Sequence, residues 1–298
     1  MSEVEMKQKT LGEKLLSIPR PVLFLLLIVA TALPLFFPIK LPNEPKPEAK
    51  ALFEAFKAIP DGGTVVIQSD WTESTRGESR GQMDAVLRIL MRKNVKFAIC
   101  AVADPQAPQV ARNVVADLNL ERKLAGKAEY QKWDDWVNLG FFPNGEGLGQ
   151  SIRANIRDAF GMKRDSKPGQ PERSVFESPV LSKVKTVSDL DMYIVVTGTK
   201  SIIVALERFS DKVKMGGLVT GVMGPETLNY YSSGQLVGLS AGLKGVFDME
   251  TLMDVEYPGE KNLDKGAKYI VTLHVAVFLL ILAVIIGNIG VLMTRRSK

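Results

Sequence analysis

The stretch TVVIQSD, residues 64–70, decides the fold class of this chain. It is a short apolar run that ends in polar side chains, and the turn sequence IPDGG precedes it, so it predicts a buried β-strand. Residues 79–94 then have apolar side chains at helical spacing, and VKFAICAVA, residues 95–103, is strand-like again. This order predicts two parallel strands joined by a right-handed helical crossover.

The same alternation continues along the chain. Further strands are predicted within 134–142, 191–198 and 216–224, and further helices within 104–120, 149–161 and 201–213. Asp104 is the expected N-cap of the first of these helices. The charged, proline-containing segment 162–174 has no periodicity and predicts an exposed, mobile loop. Five strands interleaved with helices predict an α/β fold with a doubly wound, mainly parallel five-stranded sheet, which is a Rossmann-like architecture.

Two long apolar runs lie near the ends of the chain, at residues 22–39 and 269–293. Each reaches the roughly 17–25 residues that a helix needs to cross a bilayer, so we predict one N-terminal and one C-terminal transmembrane helix. A cleaved signal peptide is the alternative for the first run, because ATA at 30–32 resembles a cleavage site. The acidic residues of the preceding tail and the continuation of the run past residue 32 favour an uncleaved anchor.

These runs predict a two-pass membrane protein. The expected parts are a tail at 1–21, a transmembrane helix at 22–39, a linker at 40–50, the α/β domain at 51–256, a linker at 257–268, a transmembrane helix at 269–293 and a tail at 294–298. Basic residues of the tails are Lys7, Lys9, Lys14, Arg20, Arg295, Arg296 and Lys298. Since basic tails stay in the cytoplasm, we expect both termini to be cytoplasmic and the central domain extracytoplasmic, in the cell or inner membrane of a bacterium or archaeon.

Composition argues against several function classes. The net charge of +5 over 298 residues comes mainly from the tails, so a nucleic-acid-binding face is not expected. The single histidine, His274, lies in the second apolar run, and the single cysteine, Cys100, lies in a predicted strand. We therefore expect no nucleophilic triad, no cofactor and no histidine or cysteine metal site in the central domain. A hard cation held by Asp70, Glu73 and Asp104 at neighbouring strand ends is the alternative.

The stretch SSGQLVGLSAGLKG, residues 232–245, has the apolar spacing of a helix although it contains Gly234, Gly238, Gly242 and Gly245. Each glycine costs a helix about 0.8–1 kcal/mol relative to alanine. On a helix the four would form a stripe of minimal side chains, and close approach of a second backbone would offset the cost. Three interpretations stay open: tight packing inside the domain, a subunit interface, or a non-helical ligand-binding loop.

Three segments carry a resemblance to a known group of proteins. They are WVNLGFFPNGEG at 136–147, DLDMYIVVTGTK at 189–200 and VMGPETLNYYSSGQLVGLSAGLKG at 222–245. Over about residues 60–250 the chain resembles an uncharacterised family of prokaryotic membrane-anchored proteins with a Rossmann-like domain and a Y-x-x-SGQ-x-x-G-x-x-x-G-x-x-G segment. That pattern is matched here by Tyr230, Ser233, Gly234, Gln235, Gly238, Gly242 and Gly245. The resemblance implies a membrane location and the fold, and it brings no known activity.

Ligands of doubly wound sheets bind beyond the carboxyl ends of the strands. Candidate ligand contacts in the strand-end segments and the adjoining glycine segment are Asp70, Thr72, Asn144, Glu226, Tyr230, Ser233 and Gln235. The glycine-rich turn NGEGLGQS, at 144–151, leads into a predicted helix and offers a weaker hypothesis of an anion site. Its spacing matches neither a dinucleotide fingerprint nor a phosphate loop.

The preferred functional hypothesis is a non-enzymatic, membrane-anchored scaffold or assembly subunit. Its extracytoplasmic domain would form homo-oligomers or assemble with other membrane proteins, with an interface at the four glycines of the 232–245 stretch. The alternative is a membrane-tethered small-ligand sensor or solute-binding module that uses the strand-end loops. A carboxylate-metal hydrolase is the third hypothesis, and it ranks below the other two.

Overall fold

The computed structural model describes residues 11–37 and 41–296. The α-helices of this part of the chain are α1 Leu11–Leu16, α2 Arg20–Phe36, α3 Pro47–Lys57, α4 Arg76–Arg92, α5 Ala107–Leu124, α6 Gly145–Ala154, α7 Ile156–Phe160, α8 Ser201–Phe209, α9 Gly224–Ser232, α10 Gly242–Glu256 and α11 Gly266–Arg296. The strands are β1 Thr64–Asp70, β2 Lys96–Ala101, β3 Trp136–Phe141, β4 Arg164–Asp165, β5 Arg173–Ser174, β6 Met192–Thr197, β7 Met215–Val219 and β8 Gly238–Ala241. Short 3-10 helices lie at Glu73–Thr75, Val175–Glu177 and Val187–Asp189.

Six of the strands form one sheet in the order β3-β2-β1-β6-β7-β8, and every neighbouring pair is parallel. Numbered along the chain, this is the doubly wound order 3-2-1-4-5-6. The strand order reverses between β1 and β6, and this pair forms the topological switch point of the sheet. The predicted parallel α/β architecture is therefore confirmed. The predicted number of strands is wrong, because β8 lies within the 232–245 stretch, where a helix was expected.

Helices cover both faces of the sheet, which explains why its strands are continuous apolar runs. In β1, Val65 and Ile67 join the core beneath α3, α4, α5 and α10, whereas Val66 joins the core beneath α6, α7, α8 and α9. This division follows from the alternation of side chains along a strand. Ile67 lies opposite Ile99 of β2 and Ile194 of β6, and all three join the first of these cores, so the centre of that face of the sheet is apolar.

The glycine-rich stretch is a turn, a strand and the start of a helix. Gly234 has a φ of +78° in a turn, and Gly242 has a φ of +61° where α10 begins. Between them, Gly238 lies in β8 against α3: a Cβ added to Gly238 would be 2.2 Å from the backbone nitrogen of Leu52. A Cβ on Gly242 would be 3.0 Å from the Cα of Gly221. The predicted helix over 232–245 is wrong, and the contacts of Gly238 and Gly242 are the tight packing within the domain.

The segment 162–174, predicted as a loop, contains β4 and β5, which pair in an antiparallel hairpin. Asp165 of β4 is 6% exposed. Its carboxylate accepts the backbone N–H of Asn138 at 2.8 Å and forms an ion pair with Lys132 at 2.6 Å. These two contacts fix the hairpin to β3, and neither has a periodic signal in the sequence.

Two predicted helix boundaries also change. The helix expected over 149–161 is divided into α6 and α7, because Asn155 has extended backbone and its side chain accepts the N–H of Arg157 at 3.0 Å. Asp104 is not the N-cap of α5. It forms the turn before that helix, where its Oδ1 accepts the N–H of Gln106 at 2.7 Å.

Residues 43–266 form one compact unit, and the terminal stretches form a second. Within the described residues, one helix is long and apolar enough to cross a membrane, Gly266–Arg295. The helix α2 is also apolar but has 17 residues, and residues 38 and 39 of the predicted span 22–39 lie outside the described ranges. Residues 1–10 and 297–298 of the predicted tails lie outside them too. The two-pass topology therefore stays a prediction.

Candidate functional site

Asp70 is the last residue of β1. It lies at the carboxyl edge of the sheet, beside the topological switch point between β1 and β6. The residue is 3% exposed. Its Oδ1 accepts the backbone N–H groups of Val102 at 2.6 Å and Ala103 at 3.1 Å, and its Oδ2 accepts the side-chain N–H of Gln68 at 2.6 Å. Asp70 therefore joins the end of β1 to the chain that follows β2, and both of its oxygens are engaged in this contact.

A buried polar chain continues from Asp70 into the sheet. The Tyr193 hydroxyl donates to Oε1 of Gln68 at 2.8 Å, and the Cys100 sulfur is 3.7 Å from the same hydroxyl. Burial raises the pKa of Cys100 to about 12 and raises the pKa of Tyr193 well above its ordinary value. Both groups stay protonated at neutral pH, so neither is an activated nucleophile or base.

A cluster of hydroxyl groups lies on the other side of the topological switch point, at the end of β6. Thr197 Oγ1 is 3.0 Å from Thr199 Oγ1 and 3.1 Å from Ser201 Oγ. Between them, Gly198 is so tightly enclosed that an added Cβ would be 3.1 Å from the methyl groups of Thr75 and Thr220. The loops after β1 and β7 therefore meet over Gly198. The sequence predicts a strand within 191–198, but its pattern did not single out these hydroxyl groups.

The cavity beneath this edge is small. It is lined by residues that include Gln68, Tyr193 and Ser201, and its volume is about 10 Å³. Such a space holds a single water molecule at most. This cavity therefore has no room for a small organic ligand.

Four of the seven predicted ligand contacts lie at this carboxyl edge. Besides the buried Asp70, Thr72 follows β1, and the Asn144 side chain caps α6 by accepting a backbone N–H at 2.9 Å. Glu226, in the first turn of α9, forms an ion pair with Lys200 at 3.2 Å. The exposed Glu226 and Lys200 thus link the loops after β6 and β7.

The other three predicted contacts, Tyr230, Ser233 and Gln235, lie at the opposite edge of the sheet. They are at the end of α9 and in the turn before β8. Val237, two residues after Gln235, donates its N–H to the carbonyl of Met215, at the start of β7, at 2.9 Å. Because the strands are parallel, these residues are separated from the carboxyl edge by the length of a strand. The seven candidates do not converge on one site.

The carboxylates considered for a hard cation do not form a ligand set either. Glu73 forms an ion pair with Arg76 at 2.8 Å, and Asp104 accepts the Gln106 N–H described above. In the described ranges, no three His, Cys, Asp or Glu side chains are grouped so that they could hold a metal ion.

A second polar region, which the sequence did not indicate, lies on α10. Asp248 is 1% exposed. Its carboxylate accepts the Asn43 side-chain N–H at 3.1 Å and the Lys46 backbone N–H at 3.3 Å, and Lys244 forms an ion pair with it. Lys244 also donates to the side-chain oxygen of Asn43 at 2.7 Å. The segment that leads from α2 into the domain is therefore fastened to α10.

The segment that leads out of the domain is fastened to the same helix. Glu250 is 7% exposed, and its Oε2 accepts the backbone N–H of Gly266, the first residue of α11, at 2.7 Å. A Cβ added to Gly266 would be 2.8 Å from the Cα of Phe247. The Asn43 side chain donates to the Phe247 carbonyl at 3.2 Å. Both ends of the α/β domain therefore meet at Phe247.

Two regions thus combine polar groups with defined geometry. They are the carboxyl edge of the sheet and the face of α10 that contacts both ends of the α/β domain. The resemblance of about residues 60–250 to prokaryotic membrane-anchored proteins stays a prediction. Comparisons of the chain with models of protein families, with curated proteins and with solved structures find no match.

Proposed function

We propose that the protein is a membrane-anchored, non-enzymatic assembly subunit. Its α/β domain lies outside the cytoplasm, is held to the membrane at both ends, and assembles with further copies of itself or with other membrane proteins. The observation that carries this proposal is the attachment of Asn43 and Gly266 to the same residue, Phe247. The connections to both terminal helices leave the domain at neighbouring points.

The composition of α11 supports the membrane part of the proposal. Its most apolar window is 11% buried, and Phe278 and Leu280 are each 65% exposed. A continuous apolar surface of this kind needs lipid or protein to cover it. Arg295 and Arg296 at the end of the helix, and Lys298 after it, favour the cytoplasm, which supports a domain on the other side of the membrane.

Two attachments suit a fixed position better than free movement. A domain held by one flexible linker can rotate over the bilayer, whereas Asp248 and Glu250 hold both connections against one rigid helix. The domain therefore presents a constant face to its neighbours. A constant face is what an assembly subunit needs for repeated, oriented contacts.

The chemistry of the site residues supports assembly rather than catalysis. The Cys100 thiol is buried and protonated, and the oxygens of Asp70 are engaged by the protein itself. The single histidine lies in α11. Of the four glycines proposed for an interface, Gly238, Gly242 and Gly245 contact their own chain, and Gly234 has open space around it. An interface in this segment therefore centres on the exposed turn at Gly234.

The test is the mass of the full chain in a mild non-ionic detergent, measured by native mass spectrometry and by light scattering on a sizing column. We expect a defined oligomer or a stable complex that survives dilution. A particle that is strictly monomeric, both purified and extracted directly from its own membrane, contradicts the proposal. Carbonate washing tests the anchor separately, because release of the intact chain contradicts membrane integration while leaving the assembly question open.

A sensor for a small polar ligand is the second candidate function. It is favoured by the hydroxyl cluster of Thr197, Thr199 and Ser201 at the topological switch point. A thermal-shift screen of polar metabolites should then find a compound that raises the melting temperature. The Thr199→Ala variant should lose that shift, and Ser232→Ala, at the opposite edge, should keep it. Equal shifts in both variants contradict binding at the cluster.

A further inference from the structure

A groove of about 480 Å³ lies between the C-terminal halves of α4 and α5 and the segment that connects α10 to α11. Its volume is within the range of small-molecule sites. The lining residues are Arg88, Met91, Arg92, Leu118, Glu121, Arg122, Leu124, Ala125, Lys127, Gly259, Glu260 and Lys261. Five of these side chains are cationic and two are carboxylates, so the groove has an excess of positive charge.

Part of this charge is neutralised within the protein. Arg88 forms a bidentate pair with Glu121, with nitrogen–oxygen distances of 2.6 and 2.8 Å, and Lys261 is 3.2 Å from the same carboxylate. Lys127 donates to Glu260 at 2.6 Å. Glu121 therefore already serves two cations, whereas Glu260 serves one.

Arg92 and Arg122 form no ion pair with a carboxylate in the part of the chain that the structure describes. Arg92 donates to the side-chain oxygen of Asn262 at 2.7 Å and to the Lys261 carbonyl at 3.0 Å, and its guanidinium stacks on Tyr257 at 4.6 Å from the ring centroid. Burial lowers the pKa of Arg92, because the partly desolvated cation is not fully compensated. An anion in the groove would supply the missing charge.

Arg122 uses one of its donors for the Ala128 carbonyl at 2.7 Å and lies 5.5 Å from the ring centroid of Tyr130. Its two Nη groups remain for a ligand. The rings of Tyr130 and Tyr257 restrict the two guanidinium groups, and a planar guanidinium binds phosphate through paired hydrogen bonds. The groove thus contains two partly ordered guanidinium groups beside the exposed Leu124, which is 80% accessible.

We propose that this basic groove binds a phosphate group carried by a small amphiphilic molecule, with Arg92 and Arg122 as the contacts to the phosphate and Leu124 as an apolar contact. Two sources have this chemistry: the headgroup of an anionic phospholipid and a soluble phosphate ester. The segment from Lys261 to Gly266, where α11 begins, spans at most about 18 Å. Lys261 in the groove therefore lies within about 18 Å of Gly266, the last residue of the domain. This inference does not depend on the assembly proposed above.

The experiment uses the full chain in a neutral, non-ionic detergent. Micelles doped with phosphatidylglycerol, micelles doped with phosphatidylcholine, and soluble glycerol phosphate are the three probes, and native mass spectrometry or thermophoresis measures their binding. Binding of phosphatidylglycerol alone assigns the groove to a lipid headgroup, and binding of glycerol phosphate assigns it to a soluble ester. Phosphatidylcholine also carries a phosphate, but its choline group cancels the negative charge, so the basic groove should bind it more weakly. If neither phosphatidylglycerol nor glycerol phosphate binds more tightly than phosphatidylcholine, the proposal is overturned.

Matched variants locate the site. Arg122→Gln should weaken binding about tenfold or more, the effect of one charge-assisted hydrogen bond. Arg112→Gln removes the same charge from the same helix outside the groove and should leave binding within about twofold. Glu260→Gln removes the less engaged carboxylate and should strengthen binding several-fold, a gain that a damaged fold would not produce. Equal weakening by the two arginine variants, or weaker binding by Glu260→Gln, contradicts a site in this groove.

Discussion

Gly238 of β8 lies directly against the backbone of Leu52 in α3, where an added Cβ would be 2.2 Å from the nitrogen and 2.4 Å from the Cα. Backbone atoms within a helix cannot move aside as a flexible side chain can. We therefore expect Gly238→Ala to destabilise the domain by about 3 kcal/mol, at the upper end of the usual cost of overpacking. Denaturant unfolding of the full chain in detergent measures this change.

Gly77→Ala is the matched control for that substitution. Gly77 lies in α4 with ordinary helical backbone and no atom within 4 Å of an added Cβ. Alanine there should stabilise the domain by about 0.5–1 kcal/mol. If Gly238→Ala were as well tolerated as Gly77→Ala, the close contact between β8 and α3 would be wrong.

The attachment at α10 predicts a large cost for Asp248→Asn. The carboxylate of Asp248 is buried and accepts N–H groups from Asn43 and Lys46. In the variant, the amide N–H group would face one of these donors, and Lys244 would lose its counter-charge. The expected loss is about 1–3 kcal/mol in the free energy of unfolding. Glu256→Gln, on the same helix, breaks only an exposed ion pair with Lys57 and should cost less than about 1 kcal/mol.

Asp70 is expected to act on stability rather than on ligand binding. In Asp70→Asn the new amide would face the side-chain N–H of Gln68, whose oxygen is held by Tyr193, so two donors would oppose each other. We expect a loss of about 1–3 kcal/mol, measured by denaturant unfolding. Thr72→Ala, in the following loop, should be nearly neutral. An Asp70→Asn protein of unchanged stability would show that the hydrogen bonds of Asp70 do not brace the sheet.

Glu121 predicts an acid-dependent loss of stability. Its hydrogen bonds with Arg88 lower its pKa below the ordinary value of 4.5. A lowered carboxylate pKa adds stability that is complete above pH 4.5, declines below it as the unfolded chain takes up the proton, and is gone below the folded-state pKa. The difference in unfolding free energy between the wild type and Glu121→Gln should therefore shrink as the pH falls below 4.5. A difference that stays constant from pH 7 to the acid limit contradicts this role.

Cys100 should be unreactive until the domain unfolds. Burial raises its pKa to about 12, so the thiolate that reacts with disulfide reagents is nearly absent at pH 8. We expect no modification of the native protein over hours and complete modification of one thiol in denaturant. Rapid modification of the folded protein would show that β2 opens to solvent.

The sequence predicted the central elements because their signals are local. Residues 64–70 and 191–198 are apolar runs bounded by turns, and both are strands in the sheet. By contrast, β8 has four residues, and the leucines in it and beside it, at 236, 239 and 243, have a spacing that fits a helix equally well. The strand exists because Gly238 fits beneath α3, a contact between residues far apart in the chain, which no local pattern expresses.

The same distinction applies to the site. The carboxyl-edge loops could be identified from strand ends alone. The strand β8 could not, and because Gln235 comes just before β8 it lies at the opposite edge. Asp70 was predicted as a ligand contact, because a polar residue at a strand end has the same local pattern whether it binds a ligand or braces the backbone. The attachment of Asp248 to Asn43 joins residues at opposite ends of the domain and has no signature in either segment.

Because both ends of the domain meet at Phe247, residues 43–266 form a unit that can be moved into another protein. A folded body that begins and ends at one spot can be spliced into a surface loop of an unrelated carrier protein without stretching either the guest or the host. The natural helices on either side are then one possible carrier among several. A soluble carrier would make the domain accessible to crystallography without detergent.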